Sequence, residues 1–209
     1  MVNNHRGLSY YEQDKEVFFH PNMAILRIKQ LEKGQKDSLV TACKLKQGMT
    51  FFDGTLGLAS DSLVASFVVG SQGHVVSVEK SFPLYVVVKE GLCHYLNQNP
   101  LWEPLMGRLN IKKADNLDYL RNCDSCSYDV VYFDFMFNRP VEGSNGIQII
   151  SSLAMRDTLT EEHVVEALRV AKQRVVVKSS YGNDSLESLG FKIEKVNQKR
   201  HFYYAVLEK

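Results

Sequence analysis

The chain has 209 residues, of which 44% are hydrophobic and 23% are charged, and its formal net charge at neutral pH is +1. This length and composition indicate one folded domain with a buried core, and they exclude an intrinsically disordered chain. The near-neutral charge gives no overall field that would attract a polyanion. No apolar run reaches the roughly 18 residues of a membrane span, and no signal-peptide pattern is present, so we expect a cytoplasmic protein.

Short apolar runs alternate with helical patterns from Met49 onward, which predicts βαβ units and a parallel sheet. In chain order the pattern predicts strand 49–53, helix 61–69, strand 74–79, helix 82–96, strand 108–112, helix 116–122, strand 128–133, helix 161–171 and strand 174–178. The strand at 128–133 is apolar almost throughout, as expected for a strand buried on both faces at the centre of the sheet.

The two ends of the chain depart from this repeat. Strands are predicted at 191–196 and 201–207, and the polar turn between them is too short for a crossover helix, so they should form an antiparallel hairpin. Residues 1–20 show no clear period. A strand is predicted at 24–29, and a helix capped by Asp37 at 37–45. We therefore divide the chain into an N-terminal extension, residues 1–48, and a main domain, residues 49–209.

The first predicted strand leads into a glycine-bearing loop, DGTLGLASD at residues 53–61. Gly54 and Gly57 allow a tight turn and close approach of a ligand to the backbone, and the following helix offers free N–H groups. Glu79 ends the second predicted strand, about 20 residues further on, where a carboxylate can accept both hydroxyls of a ribose. Together these features indicate an adenosine-containing cofactor, but they do not separate nicotinamide from S-adenosylmethionine.

Charge in the loop favours S-adenosylmethionine. The loop lacks the third glycine of a dinucleotide fingerprint, having Ala59 there, and it is flanked by Asp53 and Asp61. These carboxylates would repel a pyrophosphate but suit the amino group and sulfonium of S-adenosylmethionine. After the third predicted strand, Asp115 with Asn116 is a candidate for the adenine amino edge, and Asp115 is equally a candidate helix cap.

The central strand ends in Asp134-Phe135-Met136-Phe137, which resembles the (D/N)PP(Y/F) tetrapeptide of methyltransferases acting on exocyclic base amines. Methyl transfer from a sulfonium needs the amine lone pair aligned with the methyl carbon more than it needs acid or base. Asp134 and the Phe135 carbonyl would accept the amine N–H groups, and Phe137 would stack on the base. Phe135 and Met136 replace the two prolines, so the rigid loop shape is not guaranteed.

Taken together, DGTLGLASD, the strand ending at Glu79, YFDFMF and RVVVKSSYG resemble the small-subunit ribosomal RNA guanine methyltransferase family. Its first motif reads D-x-T-x-G-L-G-x-D and its fourth D-P-M-F, from which Ala59 and Phe135 depart. The resemblance implies a Rossmann-like class I α/β fold, with a seven-stranded mostly parallel sheet, helices on both faces and the C-terminal antiparallel hairpin. It also implies methyl transfer from S-adenosylmethionine to a base amine, with guanine in ribosomal RNA as the expected target. The expected cofactor residues are Asp53, Gly54, Thr55, Gly57, Ser60, Asp61, Glu79, Lys80, Asp115, Asn116 and Asp134.

Residues 1–48 are expected to help form the acceptor side, and RNA is the expected partner. His20, Arg27 and Lys29 are candidates to contact phosphate or base, although their pattern favours a solvated strand face. Lys178, at the end of a buried strand, is a further phosphate candidate. Residues 138–160, a long connection after the transfer motif, are interpreted as a lid over the acceptor, with a surface loop as the alternative.

The four cysteines are interpreted as thiols. Cys123 and Cys126 form a lone CxxC, which is half of a zinc site at most, so no metal is expected. Three alternative functions stay open: a methyltransferase acting on a small molecule, a non-catalytic module that binds S-adenosylmethionine or RNA, and a nicotinamide-dependent oxidoreductase, which the acidic loop disfavours.

Overall fold

The computed structural model describes residues 2–3, 7–12, 15–135, 158–180, 185–194 and 202–209. Its strands are β1 (Val2–Asn3), β2 (Gly7–Glu12), β3 (Lys15–Phe18), β4 (Thr50–Asp53), β5 (His74–Glu79), β6 (Leu109–Lys113), β7 (Tyr128–Phe133), β8 (Ala171–Ser180), β9 (Lys192–Glu194) and β10 (Phe202–Glu208). Its helices are α1 (Asn22–Glu32), α2 (Ser38–Cys43), α3 (Ser60–Val69), α4 (Phe82–Gln98), α5 (Glu103–Met106), α6 (Asn116–Arg121), α7 (Glu161–Val170) and α8 (Ser185–Ser188). Every strand and helix predicted from Met49 onward has a counterpart among the described residues, and most ends are shifted by a few residues.

The main sheet has seven strands in the order β6-β5-β4-β7-β8-β10-β9. Strand β4 pairs in parallel with both β5 and β7, and β7 pairs in parallel with β8. Strand β10 lies antiparallel between β8 and β9, which confirms the predicted hairpin. The strand order reverses direction between β4 and β7. In an open sheet of this kind, a ligand binds outside the carboxyl ends of the strands at that switch point.

Helices cover both faces of this sheet, because successive strand residues point to opposite sides. Phe51 packs with residues of α1 to α4 in one hydrophobic cluster. Its neighbour Phe52 packs with residues of α6 and α7 in the other. The predicted arrangement of helices on two faces is therefore confirmed.

The N-terminal segment differs from the sequence prediction. The strand predicted at 24–29 is wrong, because these residues belong to helix α1. Ala24 and Ile28, one helical turn apart, are the buried positions of this helix, and α1 packs against α3. Residues 1–20, for which no period was found, include the antiparallel sheet β1-β2-β3, which packs against α4.

The N-terminal segment and the main sheet share one hydrophobic core. Leu39 of α2 lies in the same buried cluster as Phe51 of β4, and α2 contacts both β8 and β10. The predicted cap of α2 is confirmed, since an Asp37 carboxylate oxygen accepts from the backbone N–H of Leu39 at 2.9 Å and of Val40 at 3.2 Å. This packing brings α1 close to the start of α3, where the glycine-bearing loop ends.

Candidate active site

The loop after β4 is fixed by backbone constraints. A Cβ at Gly54 would lie 2.4 Å from Cε1 of Phe133, so only glycine fits there. Gly57 and Ala59 have positive φ angles of 52° and 62°. Ala59 thus holds a left-handed conformation that costs a non-glycine residue about 1–2 kcal/mol. The departure from the family motif at this position therefore keeps the turn that a glycine would adopt freely.

Asp53 braces this loop from within the core. Its carboxylate accepts from the Thr55 backbone N–H at 2.9 Å and from the Ser62 hydroxyl, which also lies 2.8 Å from the hydroxyl of Ser77. Burial raises the pKa of Asp53 to about 7, although the donors from Ser62 and Thr55 oppose the shift. The Thr55 hydroxyl in turn accepts from the backbone N–H of Asp134 at 2.6 Å, which ties the loop to the residue that follows β7.

Glu79 joins the end of β5 to the same loop. Its two carboxylate oxygens accept from the backbone N–H groups of Gly57, at 3.2 Å, and Ser81, at 2.8 Å. Burial raises the pKa of Glu79, and these backbone donors partly oppose the shift. The structure thus brings together the two elements from which the sequence predicted an adenosine-binding site.

The next strand contributes Asp115 and Asn116, which have different roles. Asp115 caps α6, accepting from the Leu117 N–H at 3.0 Å, and it forms an ion pair with Lys80 at 2.9 Å. The Asn116 side chain is buried and donates to the Gly54 carbonyl at 3.1 Å. Lys80 follows β5 and Asp115 follows β6, at the sheet edge expected for the cofactor, whereas the side chain of Asn116 holds the loop through the Gly54 carbonyl.

Asp61, near the start of α3, lies between two cations. One carboxylate oxygen is 2.6 Å from an Arg27 guanidinium nitrogen, and the other is 3.3 Å from the Lys178 ammonium. Tyr132, which is fully buried in β7, donates its hydroxyl to Asp61 at 2.8 Å. Burial alone would raise the pKa of Asp61, but Lys178 and Arg27 outweigh it and hold the pKa below its ordinary value. Sequence reasoning missed Tyr132, because it is one more apolar-strand residue in the pattern.

Arg27 is engaged within the protein. Besides Asp61, its guanidinium makes a two-point contact with the Asp37 carboxylate, at 2.8 Å and 3.0 Å. A paired fork of this kind fixes orientation as well as charge. In this structure Arg27 therefore connects α1, the start of α2 and the start of α3, a role that its candidacy as an RNA contact did not foresee.

Asp134 and Lys178 form the centre of the predicted transfer site. The Lys178 ammonium lies 2.6 Å from an Asp134 carboxylate oxygen and 5.2 Å from the centre of the Phe202 ring. Burial raises the pKa of Asp134, and Lys178 only partly offsets this. Burial would lower the pKa of Lys178, but Asp134 and Asp61 raise it above its ordinary value, so the amine stays protonated. The side chain of Asp134 is 35% exposed, and the site therefore opens to solvent here.

Phe135 is held by packing where the motif of the resembled family has proline. Its ring is buried and stacks on Phe133, with centroids 5.1 Å apart, and the edge of His163 meets it at 5.7 Å. His163 lies 3.1 Å from the Asn116 side-chain oxygen and forms a capping box with Thr160 at the start of α7. His163 was not predicted from the sequence, where it appears only as a polar residue in a helical pattern.

The remaining predicted site residues are less informative. Ser60 is half-buried at the start of α3, whereas His20 and Lys29 are exposed. Phe137 and residues 138–157 of the predicted lid lie outside the described residues.

Three further observations on the described ranges concern metal ligands, membrane spans and cysteines. No group of three or more His, Cys, Asp or Glu side chains within them is arranged to hold a metal ion. No helix that the structure describes is both long and apolar enough to cross a membrane. Cys123 and Cys126 are free thiols.

The fold and the site define the class of protein. A glycine-bearing loop after the first strand of the main sheet, an acid at the end of the next strand and an aspartate after the central strand meet at the switch point, and the strand order ends in an antiparallel hairpin. The chain is a class I S-adenosylmethionine-dependent methyltransferase. It belongs to the family described as "Putative SAM-dependent methyltransferase", whose model matches residues 8–205.

Several known proteins are similar to this chain in sequence or structure. The chain is 37% identical to the uncharacterized protein YpiP of Bacillus subtilis over 208 residues, covering all of this chain and 80% of that protein. It is 24% identical to ribosomal RNA small subunit methyltransferase J of Acinetobacter baumannii, covering 69% of this chain and 55% of that protein. Among solved structures, a SAM-dependent methyltransferase from Neisseria gonorrhoeae aligns with a TM-score of 0.60 and 16% identity, covering 97% of this chain and 77% of that one.

Proposed function

We propose that the protein transfers a methyl group from S-adenosylmethionine to an exocyclic base amine in RNA, with guanine in small-subunit ribosomal RNA as the target. The observation that carries this proposal is the position of Asp134. Asp134 follows the central strand, and its carboxylate shares the Lys178 ammonium with Asp61 of the cofactor loop. Its side chain is 35% exposed. A carboxylate at this edge can accept an amine N–H while the cofactor lies next to it.

The residues around the switch point fit S-adenosylmethionine. Asp61 suits the amino group of its methionine part, and Glu79 suits the ribose hydroxyls. The Glu79 carboxylate already accepts backbone N–H groups, those of Gly57 and Ser81 among them, but its two oxygens offer about four acceptor positions, which leaves room for a ligand. The remaining cofactor contacts are assigned to Gly54, Thr55, Gly57, Ser60, Lys80, Asp115 and Asp134, whereas the buried side chains of Asp53 and Asn116 are assigned to supporting the loop that holds the cofactor. When bound, the cofactor supplies a methyl carbon activated by a sulfonium.

Asp134 and the Phe135 carbonyl orient the amine for the transfer. They accept its two N–H groups, so its nitrogen lone pair points at the methyl carbon. The bound cofactor would supply the methyl carbon to this lone pair, and its sulfur would keep the electron pair of the broken C–S bond. The methylated amine then loses one proton to Asp134, which passes it to water. The ring stack of Phe135 with Phe133 and His163 supports a fixed position for the carbonyl.

Support for ribosomal RNA comes from similarity, because the described site has no feature specific to RNA. The relatives named ribosomal RNA small subunit methyltransferase J are 24–28% identical to this chain. The aligned stretch spans about half the length of the Acinetobacter protein, 55% of it. We infer that residues 1–48 contribute to the acceptor side, where exposed His20 and Lys29 are candidates to contact phosphate.

Two measurements test this function. Calorimetry with S-adenosylmethionine, and with NADH as the competing cofactor, compares the wild type with Asp61→Ala, Glu79→Ala and the exposed-carboxylate control Asp124→Ala. We expect micromolar binding of S-adenosylmethionine that only the first two variants lose. Absence of binding, or a preference for NADH, would refute the cofactor assignment for this chain.

The second measurement follows radioactive methyl groups into unmodified small-subunit ribosomal RNA, as a naked transcript and in assembled subunits, and identifies the product nucleoside by mass spectrometry. Methyl-guanosine carrying the group on its amine is the expected product, and Asp134→Ala should lower kcat by about 10²–10³-fold. Transfer to another base would correct the target. Transfer only to small metabolites, insensitive to salt, would overturn the RNA assignment.

A further inference from the structure

Lys178 is placed to act in the transfer site as more than a counter-charge. Its ammonium lies 2.6 Å from Asp134 and 3.3 Å from Asp61. The Lys178 side chain is 22% exposed and that of Asp134 is 35% exposed, so neither side chain is fully buried. The structure therefore presents a donor and an acceptor side by side at the surface of the site.

Both groups are held by rigid elements. Lys178 lies in β8, which pairs in parallel with β7, and its ammonium rests over the Phe202 ring of the neighbouring antiparallel strand β10. Asp134 directly follows β7, and its backbone N–H is fixed by Thr55 at 2.6 Å. A donor and acceptor fixed in this way can recognise the shape of a ligand edge at little cost in conformational entropy.

The exocyclic amine of a nucleobase always has a ring nitrogen beside it. In guanine the amine donates, and the adjacent N3 accepts. Adenine and cytosine present the same donor and acceptor pair next to their own amines. The separation of these two positions on a base matches that of two groups in hydrogen-bond contact, as Lys178 and Asp134 are here.

We propose that Lys178 and Asp134 together read the edge of the target base, with Asp134 accepting from the amine and Lys178 donating to the ring nitrogen beside it. This inference rests on the proposed function, because it takes Asp134 as the acceptor of the amine. Lys178 is then a specificity-determining residue of the transfer site rather than a phosphate contact.

The charge of Lys178 is suited to this role. Its two carboxylate neighbours raise the pKa of the amine above its ordinary value, so Lys178 is a donor throughout the physiological range. An ammonium has three N–H groups and no acceptor. The ammonium therefore disfavours a base edge that presents a second donor. In guanine, the N1–H on the other side of the amine is such a donor. The pair selects an amine flanked by a ring acceptor, and it selects against hydroxyls and aliphatic amines.

The test uses a synthetic, unmethylated oligonucleotide that contains the target position, once mass spectrometry has identified that position. Two versions are compared, one with guanosine and one with 3-deazaguanosine, in which a C–H replaces the ring nitrogen beside the amine. Each is assayed with the wild type, with Lys178→Met and with Lys172→Met, a lysine at the exposed opposite end of β8. The Kd for S-adenosylmethionine is measured for every variant, because Lys178 also contacts Asp61.

The expected result is a loss of about 10–100-fold in kcat/KM when the wild type meets the deaza base, as for a hydrogen bond from a charged donor. Lys178→Met should lose a similar factor in kcat/KM on the guanosine oligonucleotide. For this variant, the change from guanosine to 3-deazaguanosine should lower kcat/KM by less than about threefold, because the contact is already gone. Lys172→Met should behave as the wild type. The comparison of the two substrates on the unaltered protein stands even if Lys178→Met folds poorly.

Two results would overturn the proposal. If the wild type methylates both oligonucleotides equally, no donor reads the ring nitrogen, although the proposed function survives. If 3-deazaguanosine lowers kcat/KM by the same factor in Lys178→Met as in the wild type, another residue supplies the donor to the ring nitrogen. Absence of transfer to the guanosine oligonucleotide by the wild type would instead overturn the proposed function and this inference with it.

Discussion

The buried carboxylate of Asp53 makes the stability of the fold depend on pH in a direction opposite to that of an ordinary salt-bridged acid. Asp53 is 1% exposed, and its described hydrogen-bond donors are hydroxyl and backbone amide groups rather than cations. Burial raises its pKa from 3.8 to about 7. Between these values the folded chain keeps a proton that the unfolded chain has lost.

The sign and size of the effect follow from proton linkage. Stability rises with pH where the unfolded state binds more protons, and here the folded state binds more, so stability falls as the pH rises. One pKa unit corresponds to about 1.4 kcal/mol, so Asp53 should remove about 3 kcal/mol from the free energy of unfolding between pH 5 and pH 8. The loss should level off above the pKa of about 7 in the folded state.

Asp53→Asn should abolish this slope, because an amide keeps the acceptor for Thr55 and offers a donor to Ser62 but does not titrate. Urea unfolding of the two proteins at half-unit steps of pH isolates the contribution of Asp53 as the difference between their curves. The control is Asp129→Asn. Burial would raise the pKa of Asp129, but Thr50 and Gln173 bind its carboxylate and hold the pKa below its ordinary value. Its contribution is therefore lost only in acid and should be constant from pH 5 to pH 8.

Parallel curves for the wild type and Asp53→Asn across this range would refute the reasoning. Such a result would mean that the folded protein stabilises the ionised carboxylate of Asp53 as well as water does.

Two further substitutions test the packing around the site. Gly54→Ala would bring a methyl group within 2.4 Å of the Phe133 ring; we expect it to destabilise the fold by about 1–3 kcal/mol, and an unchanged Tm would contradict the tight approach. Arg27→Met would leave two carboxylates, 7% and 13% exposed, without this cation; we expect a loss of about 3–5 kcal/mol in urea unfolding. Adding Asp37→Asn should recover part of that loss, whereas a further loss would show that the ion pair is not the source.

The parts of the fold that the sequence predicts are those with strong local signals. Strands β5 and β7 have the predicted bounds, because each is an apolar run between clear turns. The loop after β4 was recognised from its glycines. In the structure Gly54 leaves no room for a Cβ beside the Phe133 ring, and Gly57 has a positive φ. Asp37 was recognised as a cap because aspartate before an apolar helix satisfies its free N–H groups.

Helix α1 was missed because its local pattern is ambiguous. Leu26, Arg27, Ile28 and Lys29 alternate between apolar and polar, as in a half-buried strand. In the structure Leu26 is 50% exposed while Ile28 is buried, so the apolar residues occupy both faces of the helix. Only the packing of α1 on α3 distinguishes the two alternatives, and that contact is not local.

The cluster of charged side chains formed by Arg27, Asp37, Asp61, Asp134 and Lys178 could not be predicted from the sequence for the same reason. Arg27 and Asp61 are 34 residues apart, and Lys178 and Asp61 are 117 apart, so only the folded chain shows that they meet. Asp53 and Asp134 were selected as functional candidates because they end or follow strands at the switch point, and their role in the site stays a prediction. Arg27 and Lys178 could not be recognised as partners of the carboxylates in this cluster, because the sequence around a cation does not indicate which distant carboxylate it will contact.

The balance of charge in this cluster explains why the site suits a sulfonium cofactor. The two cations Arg27 and Lys178 face three acidic side chains, Asp37, Asp61 and Asp134, which leaves an excess of acidic groups. A dinucleotide would bring its anionic pyrophosphate to the loop after the first strand of the sheet, where this excess repels it. The positive charge of S-adenosylmethionine is attracted instead. Once the methyl group has left, the sulfur is neutral, so the electrostatic part of the binding free energy is weaker for the product than for the cofactor.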